Sequence, residues 1–250
     1  MSDIAWQTTV EELTASPLMI EIYGRTYSGR THLALTHRPP IAFLHCAERI
    51  SGTIEQFISA KDVRVYNFGA AISGRTREEI SASADASVAA FTDAWLDALT
   101  WARTIVLDTH TDLWELFRLK HFGGEKPETF KGMERREALW ADINGAWRML
   151  FTTAKTAGVD LILVAKAKDE WKNDKATGGI KSTGQKDIPY NCDIRLETSF
   201  VQAADVSNNS FVARLVKAGI NYRMTGVPLT NTTLPQVLSL VYGNDEDDWK

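Results

Sequence analysis

The residues with the clearest chemical meaning lie at positions 24–31. Gly24-Arg25-Thr26-Tyr27-Ser28-Gly29-Arg30-Thr31 has the form GxxxxG[KR][ST]. Glycines let a backbone curl until successive N–H groups point inward at phosphate oxygens. The loop follows the apolar run Leu18–Tyr23 and precedes a helix-compatible stretch, Thr31–Leu35. Free amides at such a helix start would add to the anion cradle. Arg30 occupies the place of the usual phosphate-binding lysine, keeping the charge but replacing a compact ammonium with a planar fork. Binding of a nucleotide tolerates that change; efficient hydrolysis is the property it puts in question.

A second chemical signal is Asp108, which ends the β-branched, apolar run Thr104–Leu107. A strand of this kind downstream of a phosphate loop is expected to lie beside the loop's own strand and to hold Mg²⁺ together with Thr31. Asp112 reads as a solvated or helix-start residue. His32, His37, His45, His110 and His121 show no metal-ligand spacing, and His45 and Cys46 read as packing residues. Cys46 and Cys192 are far apart with no CxxC, which points to a reducing compartment rather than a disulfide framework. Met1–Val10 has no apolar run of the kind a signal peptide needs, and no window approaches the ~18 apolar residues of a membrane span. The expected setting is the cytoplasm, with no membrane partner.

These groups need a scaffold, and the pattern around them supplies one. Short apolar runs at Leu18–Tyr23, Ile41–Cys46, Val63–Phe68, Thr104–Leu107 and Val159–Ala165 read as strands of a buried, largely parallel sheet. Between them, Ile80, Ala84, Val88, Phe91, Trp95, Leu99 and Ala102 recur at helical spacing. Trp140, Ile143, Trp147, Leu150, Ala154 and Ala157 do the same before Gly158. Beyond residue 190 the pattern turns to strands at Asp193–Glu197, Phe211–Lys217 and Ile220–Met224, with a tight hairpin turn at Ala218-Gly219. With no repeat and no low-complexity linker, 1–250 reads as one α/β domain. Its core spans about 18–226, and 227–250 forms a C-terminal extension with an acidic tail.

The order of strand, GxxxxG[KR]T loop, helix, strand ending in an acidic residue and Asp-terminated strand resembles the RecA-like branch of P-loop ATPases. The resemblance implies a mostly parallel core sheet flanked by helices, with an antiparallel C-terminal hairpin. It implies ATP and Mg²⁺ as cofactors, Gly24–Thr31 around the phosphates, and Thr31 and Asp108 on the metal. Ile41–Glu48 looks like the family's second strand, which makes Glu48 the implied general base. Lys217 and Arg223, flanking the expected hairpin turn, are similar in placement to cations that reach a neighbouring subunit's γ-phosphate, which implies a homo-oligomeric ring or filament. The run Val164–Lys172, followed by a Gly/Lys-rich loop and Ile188-Pro189-Tyr190, is similar to small phage-encoded RecA-like ATPases linked to single-strand annealing and recombination, in the wider group of phage AAA-type nucleotide-binding proteins.

The net charge of −4 hides a separation. Lys166, Lys168, Lys172, Lys175, Lys181 and Lys186 crowd one stretch around Trp171, while Asp245, Glu246, Asp247 and Asp248 crowd the C-terminus. In the resemblance, Lys168, Trp171, Lys172, Lys175, Lys181 and Lys186 would hold single-stranded DNA, the lysines on phosphates and the aromatic on a base. The alternative is a solvated loop. The acidic tail reads as a solubilising end, or as a segment that competes with DNA or docks a partner through Trp249. Two rivals to a DNA-dependent ATPase stay open. One is a nucleotide-binding scaffold or switch with little hydrolysis, favoured by Arg30. The other is a motor subunit of a replication or packaging assembly. A single-strand-binding or replication protein is a further possible partner.

Overall fold

Strand β1 (Met19–Gly24), β2 (Ile41–His45) and β4 (Thr104–Asp108) are buried at every position. Strands in that state must be covered on both faces, and period-two alternation assigns their side chains to two separate cores. Met19, Ala42, Leu44, Ile105, Leu107, Leu161 and Leu163 share one core. Ile20, Ile22, Ile41, Phe43, Val106, Ile162 and Val164 share the other. This computed structural model describes residues 16–46, 54–58, 62–68, 72–126, 133–202 and 209–250.

The other strands are β3 (Val63–Asn67), β5 (Asp160–Lys172), β6 (Lys175–Ser182), β7 (Ile194–Val201), β8 (Ser210–Ala218) and β9 (Pro228–Thr230). They form one nine-stranded sheet in the order β3-β2-β4-β5-β1-β7-β8-β9, with β6 paired to β5. Strands β3, β2, β4, β5, β1 and β7 run parallel, and β8 and β9 are antiparallel additions. The carboxyl ends of the parallel strands therefore share one edge of the sheet, where ligands of open α/β sheets bind.

Helices α1 (Arg30–Leu35), α2 (Glu55–Ile58), α3 (Arg77–Trp101), α4 (His110–Phe122), α5 (Met133–Ala157), α6 (Ile188–Asn191) and α7 (Leu234–Tyr242) complete the chain. Helix α3 starts at Thr76 with a reciprocal capping box to Glu79. The expected stripe faces inward through Ala84, Val88, Phe91 and Trp95, and Ala98 is buried beside it. Helix α4 is capped by Thr109 and ends at Gly123, in the left-handed region at φ 60°. From α5, Ile143, Trp147, Leu150 and Ala154 join the same core. Side chains of α1 and α7 cover the opposite face.

Four expectations need correction. The Asp108 strand does not lie beside the phosphate-loop strand, because β5 is hydrogen-bonded between β4 and β1. The lysine-rich stretch is not a loop: β5 runs on to Lys172 and pairs with β6 as an antiparallel ribbon. Ile220–Met224 is not a strand. Tyr222–Met224 forms a 3₁₀ turn, and the partner of β8 is Pro228–Thr230. Ile220 and Tyr222 are both exposed and only Met224 reaches the core, so this segment lacks the alternating buried face that specifies a strand. The C-terminus is not a solvated tail either, since Trp249 is buried among the residues of the second core and packs on Tyr242 and Arg38.

The sheet edge opposite the carboxyl ends is pinned by Asp160. Its buried carboxylate accepts from the Leu18 amide at 2.8 Å, His37 Nε2 at 2.8 Å and Arg38 Nε at 2.7 Å. Burial alone would raise this carboxyl, but the bonds and charges of His37 and Arg38 outweigh it and hold the group below the ordinary value.

Candidate nucleotide-binding site

Gly24 closes β1, where crowding leaves no room for a side chain. A Cβ there would collide with Ser28 Oγ and with the backbone oxygen and hydroxyl of Thr198 on β7. Ser28 Oγ and Thr198 Oγ1 lie 2.8 Å apart, tying the loop to that strand. Tyr27 and Gly29 both take positive φ, 63° and 84°, which turns the backbone back over the sheet edge. A Cβ on Gly29 would come within 2.7 Å of the Phe211 ring. Within the loop the Ser28 amide bonds the Arg25 carbonyl. Among the described residues, no backbone acceptor is taken by the amides of Gly29, Arg30 or Thr31. Such donors at the mouth of a loop are what phosphate oxygens satisfy.

Thr31 Oγ1 donates to Asp108 Oδ2 at 2.6 Å, so the two expected metal ligands meet although their strands are not neighbours. Burial drives the Asp108 carboxyl above its ordinary value, and the Thr31 bond and the charges of His45 and Arg30 offset this only in part. A hydroxyl and a carboxylate short of positive charge form a hard-oxygen donor set that suits Mg²⁺. Residues Thr31 and Asp108 fit the ion, and the loop amides fit the phosphates. When bound, Mg²⁺ would supply charge neutralisation of phosphate oxygens.

Arg30 Nη1 donates to the Ala165 carbonyl at 2.5 Å. Burial lowers the guanidinium's pKa, opposed by Asp108 and Asp112; arginine nonetheless stays charged. Asp112 sits in the first turn of α4, where its carboxylate accepts from Thr109 Oγ1 at 2.5 Å and from Lys166 Nζ at 2.5 Å. Arg25 forms an ion pair with Asp169 of the ribbon. Thr26 and Tyr27 line a recess beside Arg30 and Phe211. Glu48, the implied general base, lies outside the described residues.

Beside the loop, a cavity of about 280 Å³ is floored by Gly29, Leu33 and Phe211 and rimmed by His32, Asn231 and Thr232. Phe211 packs against Phe200 with ring centroids 5.2 Å apart and planes inclined at 51°. Asn231 Oδ1 accepts from the Phe211 amide at 2.9 Å, fixing the rim to β8. An apolar shelf next to a phosphate loop can take a planar base. Sequence reasoning misses these residues because they arrive from β8 and the turn after β9, far along the chain from the loop they face.

The remaining expected residues separate. Lys217 lies near the sheet edge opposite the phosphate loop, level with Arg195 near the start of β7. Its ammonium donates to the carbonyls of Pro189, Tyr190 and Cys192, at 3.4, 3.2 and 2.5 Å, which commits it to the end of α6. Arg223 is exposed in the 3₁₀ turn near that same edge. On the ribbon, Lys168 stands directly across from Lys181, and Lys172 from Lys175. The register shifts between Asp169 and Trp171, which separates the Lys168/Lys181 pair from the tip of the ribbon, and at that tip alternation puts Lys172 and Trp171, 61% exposed, on opposite faces. The aromatic and the neighbouring Lys172/Lys175 pair therefore do not share a face. Lys186 is exposed beyond the ribbon, in the connection to α6.

No curated protein matches this sequence. Among solved structures, a KaiC-like protein from the hyperthermophilic archaeon Pyrococcus horikoshii OT3 is similar, with 13% identity, a TM-score of 0.44, and coverage of 86% of this chain and 85% of that one. The RadB recombinase is similar at 13% identity and a TM-score of 0.43, over 86% of this chain and 87% of its own. A family model described as an AAA domain matches residues 16–218. That span runs from the residues before β1 to the last residue of β8 and takes in the loop, Asp108 and the ribbon. By a match of that length the chain belongs to the AAA domain family.

Proposed function

We propose that this protein is a DNA-dependent ATPase that binds Mg-ATP at Gly24–Thr31 and Asp108 and acts on single-stranded DNA in recombination, annealing or replication. The observation that carries the DNA part is the ribbon. It grows out of the strand next to β1 and sets like charges directly opposite each other twice, at Lys168/Lys181 and Lys172/Lys175. Directly opposed like charges destabilise a strand pair. A polyanion laid along that face removes the repulsion and gains the phosphate contacts. Lysines also blunt exposed edges against aggregation, so the distinction rests on binding. A labelled oligonucleotide should bind at low salt with ATP present, and affinity should fall steeply as salt rises. Absence of binding at low salt overturns the DNA reading.

In this reading the loop amides and Arg30 hold phosphates, Thr31 and Asp108 hold Mg²⁺, and Glu48 orients water. A homo-oligomeric ring or filament brings Arg223 to a neighbour's nucleotide; Lys217, occupied with three carbonyls, is the weaker of the two cations for that task. The resemblance to phage-encoded annealing ATPases favours a phage setting in a host cytoplasm, with a single-strand-binding or replication protein as partner. The anchoring of Arg30 on Ala165 favours a second reading, a nucleotide-bound scaffold or switch with little turnover.

A further inference from the structure

The arginine at position 30 leaves an unfilled role. A compact ammonium at the phosphate loop acts as a point charge on the terminal phosphates, and a guanidinium anchored on a backbone carbonyl does not reproduce it. The next residue after that carbonyl is Lys166. Parallel pairing sets Lys166 level with Gly24, the first residue of the phosphate loop. Its Nζ is held by Asp112, whose field reaches both Arg30 and Asp108. Two cations and two carboxylates thus share the sheet edge that receives the phosphates.

Resting on the nucleotide-binding reading above, we propose that Lys166 is the residue that recognises the terminal phosphate of a bound nucleoside triphosphate, within the same subunit, and that Asp112 positions its ammonium. An ammonium has three donors, so one can stay on Asp112 while others turn to an oxygen. Without a counter-cation, Asp112 would repel the phosphate that its neighbour Asp108 helps to bind through the metal. Lys166 cancels that repulsion.

The backbone of Lys166 is bonded independently of its side chain. Its amide donates to Thr111 Oγ1 at 3.1 Å, and its carbonyl accepts from the Thr183 amide at 2.9 Å. Truncating the side chain should therefore leave the strand in place. The test is equilibrium binding of fluorescent ADP and of a fluorescent non-hydrolysable triphosphate, with Mg²⁺, to wild type, Lys166→Ala and Asp112→Asn. Lys166→Ala should weaken the triphosphate about tenfold or more, the scale of one charge-assisted contact, with ADP little changed. Asp112→Asn should lower the preference for triphosphate by less than Lys166→Ala does, because the ammonium remains but is no longer held in place; an unchanged preference overturns the positioning role of Asp112. Equal weakening of both ligands, or of neither, in Lys166→Ala overturns the proposal while leaving the nucleotide site intact. Failure of wild type to bind either ligand overturns the nucleotide reading itself.

Discussion

Arg30 and Asp108 show how the same loop pattern can carry altered electrostatics. The carboxyl of Asp108 is raised by burial, and a bound cation requires it ionised. Where pH lies below that raised value, binding of Mg-nucleotide should therefore release a proton. Affinity is expected to climb as pH rises past the ordinary carboxylate range and to level off once the apo carboxyl is ionised. Asp108→Asn should bind Mg-nucleotide more weakly and lose the climb; a titration series showing the same pH profile in both proteins would contradict the assignment. The loop and Asp108 were legible in the sequence because each is a local pattern with a local physical cause. Phe211, Asn231 and the role of Asp112 were not, since they depend on which distant strands and turns meet at the sheet edge. Thr31 and Asp108 meet across the interposed β5, a relation no spacing rule reveals.

At the scale of elements, uniform burial made β1, β2, β4 and the first half of β5 readable as strands. The outer half of β5 was not, because hydrophobicity stops at Ala165 while the backbone pairing continues to Lys172. A polar ribbon with two glycines, one at φ 80°, carries the composition of a loop and the hydrogen bonds of a sheet. Its lysines and its aromatic can be separated experimentally. Replacing Lys168 and Lys181 with glutamine should lower the salt slope of single-stranded DNA binding by about 1.4, at about 0.7 per phosphate contact. Trp171→Ala should cost about 1–3 kcal/mol with the slope unchanged if the ring stacks on a base. A slope that falls in the tryptophan variant and holds in the lysine variant would contradict this division of labour.

For the whole molecule, the C-terminal segment is anchored to the core through Trp249 while its acidic side chains stay at the surface. Trp249 fills space between Tyr242 and Arg38, on the face opposite α3 and α5. Deleting residues 244–250 should therefore cost stability on the order of 3–5 kcal/mol, the range for losing a buried aromatic, with single-stranded DNA affinity unchanged. Urea unfolding within 1 kcal/mol of wild type, or tighter DNA binding after deletion, would show instead that the acidic run competes for the ribbon. An acidic composition made the end look solvated; a single aromatic at the penultimate position reversed that, and the sequence held no local sign of the surface it would meet.

The nucleotide site and the ribbon share β5, so their functions should be coupled, and steady-state ATP hydrolysis with and without single-stranded DNA measures this directly. Expected is turnover stimulated by DNA in wild type, with stimulation lost when Lys168, Lys172, Lys175 and Lys181 are all replaced by glutamine and nucleotide binding retained. Arg30→Lys serves as the reference if the wild-type rate is low. Nucleotide binding without any DNA-stimulated turnover, in both wild type and Arg30→Lys, would contradict the DNA-dependent ATPase and leave the nucleotide-bound scaffold in its place.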